Sequence, residues 1–410
     1  MSDSGNAGGS GNAGSAHEAG GSGNAGGPRM SVLVMAEQLR RQVPGGIGTY
    51  TQSLLEAVAK LSASGVDTPE VSVGASSTLA KRLAARPSDK DPAIADRAGT
   101  RPGLGYSSDL GMPVRSSRLP GRLLTLAWDT GLLRAPSGFD VVHATSFPAP
   151  RLAGGALAIT IHDLAWRRVP DAFTASGARW HESALQRSLH RATHFVVPSP
   201  PVAEDLVAAG ASAERISVVP EGSDHLPPPD VERARDLLDR LGVGEPYLLS
   251  VGTIEPRKNL ATLVSAYSMC RSRLPGPWPL VLVGPTGWGP RLDPSPGVVL
   301  AGRVDGNVLA GLYQGARLVA YVPVHEGFGL PVLEAMTAGA PVVATKVPSS
   351  GGAALEVDPY DTSAMADALV AAACDERLRA ELVEAGHRRA ASLTWEAAAL
   401  AHLDIWRRIR

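Results

Sequence analysis

VHEGFGLPVLEAMTAGAPVVAT, residues 324–345, sets the architecture of the whole chain. The apolar run Leu318 to Val322 precedes it and reads as a buried strand, and Gly327-Phe328-Gly329 forms the turn that leaves that strand. Pro331 suits a first helical position, so a helix is expected from Pro331 to Ala338, stopped at Gly339, with Pro341 to Ala344 as the next strand. This is a strand, loop, helix, strand unit whose loop feeds backbone N–H groups into a helix N-terminus. Orphan donors and the helix dipole together favour an anion such as a phosphate there. Glu326 and Glu334 frame the loop. A carboxylate only accepts hydrogen bonds, so the pair suits sugar hydroxyls, with a diphosphate lying between on backbone donors. Taken singly, Glu334 also reads as a charge complementing the helix dipole, and Glu326 as a solvated loop charge.

The same α/β grammar extends in both directions. Tyr247 to Val251 is an expected strand, and Gly252-Thr253-Ile254-Glu255-Pro256-Arg257-Lys258-Asn259 follows it. A helical stripe then runs through Leu260, Leu263, Val264 and Tyr267. Arg257 and Lys258 are two cations between a strand and a helix, a position where charge and dipole both face a phosphate. Leu280 to Gly284 and Val298 to Leu300 read as further strands. Leu355 to Pro359 is a short segment, Met365 to Ala373 a helix, and Leu393 to Arg410 a terminal helix long enough to pack back across both halves.

The first half repeats the pattern from Met30 onward. Ser31 to Met35 is a strand, Gly45-Gly46 lies in the turn after it, and helical periodicity appears at Leu54, Leu55, Val58 and Leu61. A Gly-Gly turn lets a ligand approach the backbone closely. Strands are expected at Val141 to His143, Ala158 to Ile161, Phe195 to Val197 and Ile216 to Val219, with Ser199 capping the helix begun by Pro200. His162 and Asp163 leave one of these strands at its C-terminal edge, where open parallel sheets keep their ligands. Asp224 to Pro229 reads as a stiff linker.

Composition bounds the rest. The 410 residues suffice for two domains, and a net charge of −1 offers nucleic acid or membrane no global attraction. Cys270 and Cys374, the two cysteines, form neither a metal-ligand spacing nor a disulfide framework, which favours a reducing compartment. No segment reaches the roughly 20 apolar residues of a membrane span. Residues 1–29 repeat a Ser-Gly-Asn-Ala-Gly phrase too poor in apolar side chains to order itself, and they lack the features of a signal peptide. Residues 62–136 carry no clear periodicity, but residues 81–122 hold nine basic against four acidic residues, a local excess of +5. That excess suits an anionic lipid surface or acceptor, or simply a solvated loop. Asp89-Lys90-Asp91 matches a D-x-D metal pattern literally but has no strand before it.

Glu326 and Glu334 have seven residues between them, and HEGFGLPVLEAMTAGAPVVAT resembles the E-x7-E region of glycosyltransferase family 4, retaining enzymes of the GT-B fold. Gly45-Gly46, His162-Asp163, Pro220-Glu221-Gly222 and residues 251–259 follow in that family's order, so the resemblance spans roughly residues 30–410. It implies two Rossmann-like domains facing across a cleft: an acceptor-side domain over residues 30–222, a linker over 223–244, and a nucleotide-sugar domain over 245–391. Residues 392–410 would return to the first domain.

Carried over residue by residue, the resemblance implies that Glu334 binds the nucleotide ribose, while Glu326 and the backbone of Gly327, Phe328, Gly329 and Leu330 hold the transferred sugar. Lys258, helped by Arg257, would neutralise the diphosphate, Gly45-Gly46 would close on it, and His162 would face donor and acceptor. No metal or other cofactor is expected. Relatives commonly place Arg at the position of Thr253, and they carry a longer loop where residues 345–351 stand here. The implied activity is transfer of a hexose to a hydroxyl acceptor with an α-linkage, with GDP-mannose favoured as donor over UDP-glucose. The acceptor is a glycan, a lipid-linked molecule or a small metabolite, and the setting cytoplasmic, with peripheral membrane contact through residues 81–122. A GT-B nucleotide-sugar epimerase and a non-catalytic sugar-nucleotide-binding subunit are the other readings.

Overall fold

A computed structural model describes residues 29–40, 45–84, 110–276, 278–289, 291–292 and 295–410. The repetitive N-terminal tract, Asp89-Lys90-Asp91 and the middle of the basic stretch lie outside the described residues. Two parallel sheets organise the rest. The first contains β1 (Ser31–Met35), β2 (Glu70–Ala75), β3 (Val114–Ser116), β4 (Val141–Ala144), β5 (Ala156–Thr160), β6 (His194–Val197) and β7 (Ile216–Val218), in the order β3-β2-β1-β4-β5-β6-β7. The second contains β8 (Leu248–Val251), β9 (Leu280–Val283), β10 (Val298–Gly302), β11 (Leu318–Tyr321), β12 (Val342–Thr345) and β13 (Leu355–Val357), in the order β10-β9-β8-β11-β12-β13. The central strands are buried on both faces, because helices cover both sides of a parallel sheet. Their sequences are therefore continuous apolar runs rather than alternating ones. In each sheet the order reverses beside the first strand, and ligands of such sheets settle at the strand ends there. This is the GT-B arrangement that the sequence implies.

Some elements differ from expectation. The helix Gly45–Ala63 starts at Gly45 itself, so Gly45-Gly46 is a helix N-terminus rather than a turn before one. The stretch read as a linker contains the helix Val231–Arg240, capped by Asp230 and packed against the helix Gly306–Gly315. Among residues read as featureless, β2, β3 and the helix Gly121–Asp129 form.

The last helix, Trp395–Ile409, leaves the second sheet and packs on Gly45–Ala63 of the first. A buried hydrogen-bond chain fixes it. Trp406 Nε1–H donates to His143 Nδ1 at 3.3 Å, and His143 Nε2–H donates to Thr160 Oγ1 at 2.8 Å. Thr160 and Tyr50 hydroxyls meet at 2.9 Å, and Tyr50 Oη–H donates to His402 Nε2 at 2.8 Å. His402 Nδ1–H ends the chain on the Ala398 carbonyl at 2.7 Å. Each nitrogen has one role, so both histidines are neutral; burial pushes His402 down to about 4 and His143 well below the ordinary value.

Candidate active site

A cavity of about 360 Å³ lies between the two sheets at their C-terminal edges. Its floor is the loop from β11 into the helix Leu330–Thr337, one residue offset from the expected helix. Gly329 caps that helix with φ +104°, a left-handed conformation that glycine adopts without strain. Gly327 approaches the opposite unit so closely that a Cβ there would lie 1.8 Å from the His162 carbonyl oxygen. Ser199 Oγ donates to the Gly327 carbonyl at 2.6 Å, which fixes this contact from the first sheet.

Glu326, its side chain 11 % exposed, accepts from Lys258 Nζ and lies 3.1 Å from Arg257 Nη1. Burial would raise its carboxyl, but the charges of Arg257 and Lys258 outweigh that and hold it at about 2. Lys258 also donates to Tyr321 Oη at 2.8 Å. Arg257 reaches across the cleft to Asp163 at 3.1 Å and sits beside Glu255 at 3.4 Å. Three carboxylates thus surround the guanidinium, and they raise its proton affinity despite burial.

His162 faces this group from the first sheet. Its Nδ1 lies 3.3 Å from Glu221 Oε1 and its Nε2 lies 2.9 Å from the Thr145 carbonyl. A carbonyl on one side and a carboxyl oxygen on the other suit a ring that donates from both nitrogens, so the site favours the imidazolium form. Burial alone would lower its proton affinity; the hydrogen bond and charge of Glu221 reverse that and raise it. Glu334 is buried and accepts from Tyr313 Oη at 2.8 Å and His225 Nε2 at 2.9 Å. Trp395 Nε1–H donates to the other nitrogen of His225 at 3.2 Å, tying this carboxylate to the last helix.

Every candidate residue named from the sequence lines this one cavity: His162, Glu326, Gly45, Gly46, Arg257, Lys258, Gly327, Phe328, Gly329, Leu330 and Glu334. Gly46 meets the far wall directly, since a Cβ there would lie 3.9 Å from Leu330 Cδ1. Residues 44–225 match the profile of Glycosyltransferase Family 4, and residues 245–375 that of Glycosyl transferases group 1. The D-inositol 3-phosphate glycosyltransferase of Xylanimonas cellulosilytica is 31% identical over 329 residues, covering 70% of this chain and 77% of that protein. The chain belongs to glycosyltransferase family 4.

This family 4 glycosyltransferase is also 29% identical over 271 residues to the O-antigen chain mannosyltransferase B of Escherichia coli, covering 62% of this chain and 71% of that one. Its fold matches the crystal structure of HepE from Anabaena in complex with UDP and glucose with a TM-score of 0.65, at 19% identity, over 92% of this chain and 100% of that one.

The transferase site also contains residues that the sequence reading left without a role. Glu221 was legible as part of Pro220-Glu221-Gly222, but its partner His162 is 59 positions away. His225 lies in the Pro-rich stretch that reads as a linker. Arg303, Val304 and Leu309 line the cavity beside Val283 to Pro285, forming a slot with a basic edge. The short segment after β12 supports the glycine loop from behind: Ser349 N–H donates to the Phe328 carbonyl at 3.0 Å and Ser349 Oγ to the Gly329 carbonyl at 2.8 Å. Arg389 in turn holds the Ser349 carbonyl at 2.9 Å. Among the described residues no three His, Cys, Asp or Glu side chains group so as to hold a metal ion.

Proposed function

We propose that this glycosyltransferase moves mannose from GDP-mannose to a hydroxyl acceptor with retention, forming an α-linkage. The observation that carries the reading is one cavity into which two cations, two helix N-termini, the Glu326 loop and the His162 imidazolium converge. The diphosphate lies against Lys258 and the start of Leu330–Thr337, with Arg257 and the Gly45-Gly46 end completing the charge balance. Glu334 takes the ribose hydroxyls, the slot formed by Val304, Leu309 and Arg303 takes the base, and Glu326 with the loop amides orients the sugar. No metal or other cofactor enters this scheme, because cations and oriented amides stabilise the departing diphosphate.

Each carboxylate lining the cavity is already engaged: Asp163 with Arg257, Glu221 with His162, Glu326 with Lys258, and Glu334 with His225. None is presented as a nucleophile, which supports departure and attack on one face of the sugar. The diphosphate oxygen then takes the acceptor proton as the new glycosidic bond forms. The likeness to a mannosyltransferase supports mannose as the sugar. The described part of the basic stretch exposes Arg115, Arg118 and Arg122 beside Leu123 and Leu126, which supports peripheral contact with anionic lipid. Replacing the three arginines by Glu should abolish flotation with phosphatidylglycerol vesicles; undiminished flotation removes that part.

Thermal unfolding with GDP, UDP, TDP and ADP in turn tests the donor. A nucleotide at about a hundred times its dissociation constant adds roughly 2.7 kcal/mol, several degrees in midpoint. GDP is expected to give the largest shift. A larger shift with UDP points to a glucose donor, and no shift with any nucleotide overturns the reading.

A further inference from the structure

A second cavity, of about 180 Å³, lies wholly within the first unit. It is bounded by Gln38 from the turn after β1, Ser146 from the end of β4, Trp128 and Asp129 from the helix Gly121–Asp129, and Trp180 from the helix Ala175–Arg191. One residue joins it to the transfer cavity. Thr145 lines it, and the Thr145 carbonyl accepts from His162 Nε2, which lines the other.

Two of its lining residues carry buried polar atoms with no partner among the described residues. Gln38 is 8 % exposed and spends its amide N–H groups on Ser146 Oγ and the Phe147 carbonyl, yet Gln38 Oε1 accepts nothing. Trp128 is 3 % exposed, and its Nε1–H donates to nothing. An unpaired buried acceptor and an unpaired buried donor each cost about 1–3 kcal/mol, so their coincidence on one cavity is not what packing alone selects.

The charges beside it, by contrast, are all spent. Arg40 is paired with Glu37 at 2.6 Å, and the other Glu37 oxygen accepts from Ser76 N–H at 2.9 Å. Asp129 accepts from Trp180 Nε1 at 2.8 Å and Arg187 at 2.7 Å. What remains is one acceptor, one donor and two tryptophan side chains in the lining. That is the complement of a neutral ring bearing hydroxyls, each of which can donate to Gln38 and accept from Trp128. The volume falls below the roughly 300–1,000 Å³ of drug-sized sites, so it suits a single ring rather than a chain.

We propose that this cavity is a subsite for a neutral sugar ring of the acceptor, seated on Gln38 and Trp128 next to His162. It deepens the transferase reading and rests on it. The ring is uncharged, so a phosphate-bearing cyclitol is the wrong chemistry here. Both orphan atoms are covered in this arrangement, so seating the ring requires Gln38 and Trp128 to part slightly.

The test uses the full chain with methyl glycosides of α-mannose, α-glucose and α-galactose and with N-acetylglucosamine, followed by saturation-transfer NMR and tryptophan fluorescence. myo-Inositol phosphate and inorganic phosphate are the charged comparators. At least one neutral sugar should bind at millimolar concentration, and Gln38→Leu and Trp128→Phe should each weaken it roughly three- to tenfold, the size of one hydrogen bond. The GDP-induced shift in midpoint should stay at the wild-type value in both variants. Binding by no neutral sugar, by the phosphates alone, or equally by both variants overturns the subsite. A nucleotide shift that persists in those cases leaves the transferase reading standing, and its absence from the wild-type chain brings that reading down separately.

Discussion

Glu326→Gln keeps the shape of the loop and removes one charge, so it isolates what that charge does. In the wild-type chain Arg257 and Lys258 hold the carboxyl at about 2 rather than 4.5. At about 1.36 kcal/mol per pH unit, this corresponds to roughly 3 kcal/mol favouring the folded state at neutral pH. The sign follows from the direction: a depressed carboxyl contributes fully above its unfolded value and loses that contribution as pH falls through the folded one. The variant should therefore unfold some 6–12 °C lower at pH 7, taking about 2–4 °C per kcal/mol for a unit of this size. The gap should narrow below pH 4.5, because the unfolded wild-type chain then takes up a proton at Glu326 that the glutamine variant cannot bind in either state.

The ligand response separates a binding site from a structural ion pair. Without the Glu326 charge, Arg257 keeps Asp163 and Glu255 as counter-ions, but Lys258 keeps only neutral acceptors, the glutamine oxygen and the Tyr321 hydroxyl. A nucleotide diphosphate restores the missing anion, so GDP should raise the midpoint of the variant more than that of the wild type, while sugar transfer is lost. Scanning fluorimetry at pH 7 and at a pH about midway between the unfolded and folded values, with and without GDP, reads all three quantities. Equal midpoints at pH 7, or a smaller GDP shift in the variant, would refute the reasoning.

Glu221→Gln removes the charge that raises His162, so the alkaline limb of the pH–rate profile should move to lower pH; an unchanged limb means the imidazolium is not the active form. The stability from that pair is present below pH 6.5 and lost as pH rises through the raised folded value. Gly327→Ala places a carbon on the His162 carbonyl, and the loop must retreat by on the order of 1 Å. A displacement of that size costs about 100-fold in kcat/KM with the fold retained by circular dichroism, and near-wild-type turnover counts against the close approach. His402, neutral in the fold at about 4, lets the unfolded chain take up protons first as pH falls from 6.5. Stability should decline by up to about 3 kcal/mol toward pH 4, and His402→Gln should flatten that decline in urea titrations.

How much of this was legible follows from where each residue gets its constraint. The strands β8, β9, β11 and β12 were found within a residue because burial on both faces writes itself as an unbroken apolar run. The helix Leu330–Thr337 was found because glycine and proline bracket it. The edge strand β3 has all three residues exposed and so no apolar run to read. Val231–Arg240 was hidden behind Pro227 to Pro229, although Asp230 is an ordinary cap. Glu376–Ala391 buries only Gly386 and Ala390 in its sixteen residues, too narrow a stripe for periodicity to announce.

The candidate site divides along the same line. Loops at strand ends carry local signals, and every residue chosen from them lines the cavity. Their partners do not: nothing near Glu334 in sequence points to His225, 109 positions away, and nothing near Arg257 points to Asp163, 94 positions away. Those pairings change what the site can do. Arg257 ties the two units together through Asp163 while also pairing with Glu326 of its own unit, so on the proposed reading a diphosphate competes with carboxylates for a guanidinium that also bridges the cleft. Donor binding and the opening of the cleft are then linked through one side chain. A sequence in which Arg257 reads simply as a phosphate ligand contains no trace of that competition, because it arises only when the loops after β5 and β8 meet across the cleft.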